Sequence, residues 1–102
     1  MKYDIKVIRD TELYVKASGR LDTMTAVTYG NTVYEQLDDV GGITKLILDF
    51  AEIEYVSSMG LRIILDLQKR MKTQGEMVLM NVNEEVKKVF EMTGFSNILT
   101  IL

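Results

Sequence analysis

Neither cysteine nor histidine occurs among the 102 residues, and proline is absent as well. Without cysteine there is no disulfide, no thiol nucleophile and no thiolate ligand; without histidine the usual imidazole base and zinc ligand are missing too. Neither a cofactor nor a metal is therefore expected. The missing thiol fits a reducing compartment, and the opening MKYDIKVIRD lacks the apolar run of a signal peptide, so a cytoplasmic location is expected. No stretch of about 20 apolar residues is there to span a bilayer. Positive charge is also short, with 12 Lys and Arg against 15 Asp and Glu and a net charge of −3. The longest basic cluster, Lys69 to Lys72, reads as the solvated end of a helix, so neither a nucleic acid nor a membrane is expected as a partner.

What is present is the composition of an ordinary globular fold, 47% hydrophobic and 26% charged, over a length that suits one domain. A chain of this size buries roughly two thirds of the surface it exposes when unfolded, enough for a core without a metal or disulfide. Alternation of Tyr3, Ile5 and Val7 with Lys2, Asp4 and Lys6 predicts a half-exposed strand. Leu13, Val15 and Ala17 against Glu12, Tyr14, Lys16 and Ser18 predict a second, joined to the first by a polar turn at Arg9 to Glu12 and left at Gly19. Ala26, Val27, Gly30, Val33, Tyr34 and Leu37 then recur at helical spacing, with Asp22 or Thr23 available as cap. Gly30 inside that pattern suits a close helix contact.

After the turn DDVGG, the run Leu46, Ile47, Leu48 and Phe50 predicts a short strand covered on both faces, followed by Ile53, Tyr55 and Val56. A second helix directs Leu61, Ile64, Leu65 and Gln68 or Met71 inward and Asp66, Lys69, Arg70 and Lys72 outward, and it stops at Gly75. Met77 to Met80 predicts a buried strand, Asn83 caps a third helix with Val86, Val89 and Phe90 inside and Gly94 at its end, and Ile98 to Leu102 predicts a closing strand. Strands alternating with helices require crossovers, so the expected fold class is α/β with a partly parallel sheet.

Within this pattern YVSSMGLR, Tyr55 to Arg62, places two serines where an apolar strand gives way to a helix. Amide groups and the dipole at a helix start tolerate a negative charge, so a phosphate on Ser58 is electrostatically acceptable there; serine is equally a preferred N-cap.

Three segments in order, GRLDTMTA at Gly19 to Ala26, LILDFAEIEYVSSMGLRIIL at Leu46 to Leu65 and VNEEVKKVFEMTGFSNIL at Val82 to Leu99, together resemble the STAS family, specifically the bacterial anti-sigma factor antagonists. The resemblance covers residues 1–102 as one STAS domain and implies a mixed sheet of about five strands with helices packed on it. Matched on Gly60 and Leu61, it implies that Ser58 is the residue phosphorylated by an anti-sigma factor with serine kinase activity, Ser57 being the second candidate. A serine phosphatase is the implied opposing partner. Asp22, Thr23, Ser57, Ser58, Met59 and Gly60 are the implied partner-binding residues, although Asp22 is equally an N-cap for the first helix. Asp49, matching a polar position after the central strand, divides in the same way between structural and site roles. The chain departs from the family pattern at Ser57, where many members carry aspartate, and at Met59, where a small residue or a second hydroxyl is usual.

The implied function is a switch: the unmodified protein binds the anti-sigma factor and frees the sigma factor, and phosphorylation prevents this. The same fold also serves stress-signalling and phospholipid-transport complexes, which is the alternative. An enzyme built on Asp22, Asp49 and Ser58 as acid, base and nucleophile lacks any group to activate the serine, so no catalysis is expected.

Overall fold

Two long strands that end side by side, each handing directly to a helix, organise the molecule. The computed structural model describes residues 1–102 throughout. In chain order it has β1 (Lys2–Ile8), β2 (Glu12–Leu21), α1 (Thr23–Val40), β3 (Lys45–Val56), α2 (Ser58–Lys72), β4 (Glu76–Met80), α3 (Glu84–Met92), a single 3-10 turn (Phe95–Asn97) and β5 (Thr100–Ile101). One five-stranded sheet has the order β1-β2-β3-β4-β5. The β1/β2 pair is antiparallel and the remaining pairs are parallel, as the strand-helix alternation requires.

The first hairpin closes through Arg9 (φ 55°) and Asp10 (φ 63°), both left-handed, the geometry of a type I′ turn. Arginine is poorly suited to the first of these positions and aspartate less suited than glycine to the second, whereas an asparagine followed by a glycine is preferred at both. The double substitution Arg9→Asn with Asp10→Gly is expected to raise stability by about 1 kcal/mol and the melting temperature by about 5 °C. An unchanged or lower melting temperature in a thermal scan would show that these two residues carry no strain.

Helix α1 starts at a capping box. The Asp22 carboxylate accepts from the amides of Met24 (3.0 Å) and Thr25 (2.9 Å), and Thr25 Oγ1 accepts from the Asp22 amide (2.9 Å). Its buried face is Ala26, Tyr29, Gly30, Val33 and Leu37. Val27 is exposed instead, because the helical phase set by 26, 30, 33 and 37 turns it toward solvent, and Tyr29 fills the core with its ring 6.4 Å from Tyr3. A Cβ on Gly30 would lie 2.9 Å from Ile63 Cγ2, so this glycine lets α1 and α2 approach closely.

Side chains from all three helices join one core with Leu13, Val15 and Ala17 of β2, Leu46 and Leu48 of β3, and Met77 and Leu79 of β4. The opposite sheet face has no helix over it. There the register aligns Tyr14, Ile47 and Val78, which shelter one another, so the expectation that the central strand is covered on both faces does not hold. Strand β3 is also longer than its apolar run, passing without a break through Ala51 to Tyr55. Strand β2 likewise continues through Gly19 (φ 115°), where the β2/β3 register shifts rather than ends. In α2 the buried residues are Gly60, Ile64, Leu67, Gln68 and Met71, while Leu61 and Leu65 stay half-buried on its flank. The C-terminal strand is two residues long, with Ile98 exposed in the turn before it.

Candidate functional site

The β2/β3 register runs to Leu21 opposite Val56, so Asp22 and Ser57 are the first residues beyond two adjacent parallel strands. Carboxyl ends of parallel strands are where loops in such sheets are exposed for binding. A hydrogen bond from the Ser57 amide to the Leu21 carbonyl (2.8 Å) ties the two exits together. Residues far apart in sequence, Asp22 and Thr23 from one exit and Ser57 to Gly60 from the other, are therefore neighbours at two helix starts.

The two serines have different tasks. Ser57 is the N-cap of α2, its hydroxyl accepting from the Gly60 amide at 3.1 Å, so capping belongs to Ser57 and not to Ser58. Ser58 is the first helical residue; it is exposed, and its hydroxyl makes no hydrogen bond within the chain. Met59 is half-buried against the core, which accounts for a bulky apolar residue where the family pattern has a small one.

Gly60 is required by contact rather than by conformation. A Cβ there would lie 2.8 Å from Val56 Cγ1 and 3.1 Å from the Leu21 carbonyl oxygen, so α2 could not seat its first turn between the strand ends. Gly60→Ala is expected to destabilise the domain by about 1–2 kcal/mol, read as a lower urea midpoint with an unchanged slope. A midpoint equal to wild type would mean that the helix start moves aside freely.

Asp22 is held below the ordinary carboxylate range, chiefly by the Thr25 amide and hydroxyl, which outweigh an opposing desolvation, with the Met24 amide and Arg20 adding lesser contributions. The site thus carries a fixed negative charge at neutral pH. Arg20 lies 4.3 Å over the ring of Tyr55, itself 42% exposed, and Met24 is 81% exposed at the first turn of α1. Sequence reading passed over these three residues. Met24 was detectable, since it falls out of phase with Ala26, Gly30 and Val33, but the Arg20/Tyr55 pair depends on strand register, which is not a local signal.

Asp49 does not join this group. It lies inside β3 and not after it, on the helix-free face, seven residues or on the order of 20 Å up the strand from Val56. Its carboxylate accepts from the Tyr14 hydroxyl (2.5 Å), the Ala51 amide (2.9 Å) and the Asn81 amide group (3.1 Å), cross-linking β2, β3 and the residue after β4. Asp22, Asp49 and Ser58 are consequently not assembled as acid, base and nucleophile. Burial pushes the Asp49 carboxyl up, but the bonds from Tyr14, Ala51 and Asn81, with Lys16, outweigh it and leave the group below its ordinary 3.8. The Tyr14 hydroxyl, donating to that carboxylate, is pushed up to about 12.

A carboxyl whose folded pKa is depressed stabilises the fold above its unfolded value and loses that contribution as pH falls through the folded one. Wild type is therefore expected to lose urea resistance below pH 3.8 more steeply than Asp49→Asn, which starts less stable at neutral pH. Parallel acid limbs for the two proteins would show that Asp49 does not contribute to this dependence.

No helix is long and apolar enough to cross a membrane. The profile of the STAS domain matches residues 2–102. The anti-sigma-B factor antagonist of Listeria monocytogenes is 30% identical over 97 residues, 91% of this chain and 82% of that protein. BtrV of Bordetella bronchiseptica is 38% identical over 61 residues, 59% of this chain, and the match spans only about half, 53%, of that protein. Among solved structures, the anti-sigma factor antagonist SpoIIAA in its unphosphorylated form aligns over 99% of this chain and 88% of its own, with a TM-score of 0.82 and 18% identity. The phosphorylated form of the Bacillus SpoIIAA aligns over 99% and 91%, with a TM-score of 0.74 and 17% identity. At that identity the structural likeness establishes the fold, a single α/β domain with a five-stranded mixed sheet and three helices.

Proposed function

The chain belongs to the STAS domain family, and from that premise we propose that it is an anti-sigma factor antagonist. Its unmodified form binds an anti-sigma factor and releases the sigma factor, and phosphorylation of Ser58 by that partner, acting as a serine kinase, turns it off. A serine phosphatase restores the binding form. The observation that carries the site assignment is the division of labour between the serines: Ser57 is committed to capping, whereas Ser58 offers an exposed, unbonded hydroxyl at the first turn of α2. The relative from Listeria, aligned over nearly the whole chain, supports this reading over membership of a stress-signalling or phospholipid-transport complex.

The contact surface extends from Ser58 across the half-buried Met59 to Asp22 and Thr23, with Gly60 buried beneath it and Met24 and Tyr55 as exposed apolar anchors beside it. A phosphate adds about −1.5 to −2 charge next to the ionised Asp22, which a docked partner would have to desolvate. No refolding is needed, because the charge itself opposes the complex. This role is regulatory, without chemistry performed by the chain.

The test is incubation with ATP and an anti-sigma factor kinase encoded near this protein, followed by mass spectrometry of the peptide containing residues 57 to 60. A phosphate on Ser58 is expected. A phosphate on Ser57 would move the acceptor, and no modification by any such kinase would remove the kinase from the scheme.

A further inference from the structure

Ser58 and Arg62 line the same open groove of about 430 Å³ on the outer side of α2, floored by Leu61, Leu65 and Phe95. They are four residues apart in one helix, so their Cβ atoms are separated by about 5–6 Å on a shared face. Helical side chains lean toward the N-terminus, which carries the long Arg62 side chain back over the turn that holds Ser58. Arg62 is exposed and makes neither an ion pair nor a side-chain hydrogen bond in the chain, whereas Arg70, two turns further on, is engaged by Asp38 and Gln74. The other charged groups that line the groove are Asp66 and Lys69 of α2; the 3-10 turn contributes Phe95 and no charge.

We propose that Arg62 is the internal counter-ion of phosphorylated Ser58, forming an i,i+4 ion pair that exists only in the modified protein. This rests on the assignment of Ser58 as the acceptor. The order is the favourable one, anion N-terminal to cation, and the guanidinium fork matches phosphate oxygens in a bidentate way that an ammonium does not. Phosphorylation then does two things at once. It adds negative charge at the contact surface, and it withdraws from the groove a cation that the unmodified protein leaves free for a partner's acidic group.

The test uses protein with phosphoserine installed at position 58 by translation, so it needs no kinase. The phosphate is titrated by its phosphorus NMR shift in the wild-type, Arg62→Gln, Arg62→Lys and Lys69→Gln backgrounds. The second phosphate ionisation, near 6 in a free phosphoserine, is expected about half a unit lower in wild type than in Arg62→Gln. Arg62→Lys should recover part of that difference, and Lys69→Gln should match wild type. Raising salt to about 1 M should nearly abolish the difference, since the screening length there is about 3 Å. Superimposable curves for wild type and Arg62→Gln, an equal effect of Lys69→Gln, or a difference indifferent to salt would each overturn the pairing. Failure of kinases to modify Ser58 would instead overturn the switch while leaving this titration standing, so the two ideas fail separately.

Discussion

Ser58→Glu is expected to weaken binding of the anti-sigma factor by about a hundredfold or more, roughly 2.7 kcal/mol, while Ser58→Ala binds as wild type. The physical reason is local. The hydroxyl is exposed and bonded to nothing, so removing it costs the free protein nothing measurable and adds no charge to the proposed contact surface. A carboxylate in its place is comfortable in the free protein, where it sits in the first turn of α2, but in a complex it would be desolvated beside the ionised Asp22. Both variants should therefore melt within about 3 °C of wild type, which separates loss of binding from loss of folding. Calorimetric titration with the purified partner decides it. Equal affinities for Ser58→Glu and wild type would mean that Ser58 lies outside the interface.

A larger effect on the fold itself is expected at Gly75. A Cβ there would overlap the Thr44 carbonyl oxygen and lie 2.6 Å from its carbon. The obstacle is backbone, so no side-chain rotation relieves it. The same carbonyl accepts from the Glu76 amide at 2.9 Å, the bond that starts β4 alongside β3. Gly75→Ala must pull those strands apart at their first rung, at an expected cost of about 3 kcal/mol or more and a fall in melting temperature of roughly 15 °C. Gly42→Ala is the instructive control. Gly42 has φ 69° but open space around its Cα, so only backbone strain of about 1 kcal/mol is expected there. If the two variants melted together, the close approach at Thr44 would not be what position 75 demands.

Much of the fold is legible in the residue pattern alone. The β1/β2 hairpin follows from alternation, and all three helices follow from apolar spacing, with Asn83 read as a cap and the choice of Asp22 over Thr23 made by the structure. The differences have one cause each. On α1 the buried place expected for Val27 belongs to Tyr29, because the apolar residues at 26, 27 and 29 are compatible with two orientations of the helix face. Strand β3 outran its apolar run because pairing with β2, not hydrophobicity, holds Ala51 to Tyr55 extended.

The candidate site divides in the same manner. Residue types and order along the chain determined that a serine stands at the start of an amphipathic helix, that Asp22 or Thr23 is available to cap the helix before it, and that thiol and imidazole chemistry are impossible; these depend on covalent identity and near-neighbour spacing. Which serine caps and which is free, that Leu21 bonds Ser57 and so joins Asp22 to the same surface, and that Asp49 faces away from it, were decided only by the tertiary structure. Each of those facts depends on strand register and helix seating, which are set by contacts between residues more than thirty positions apart.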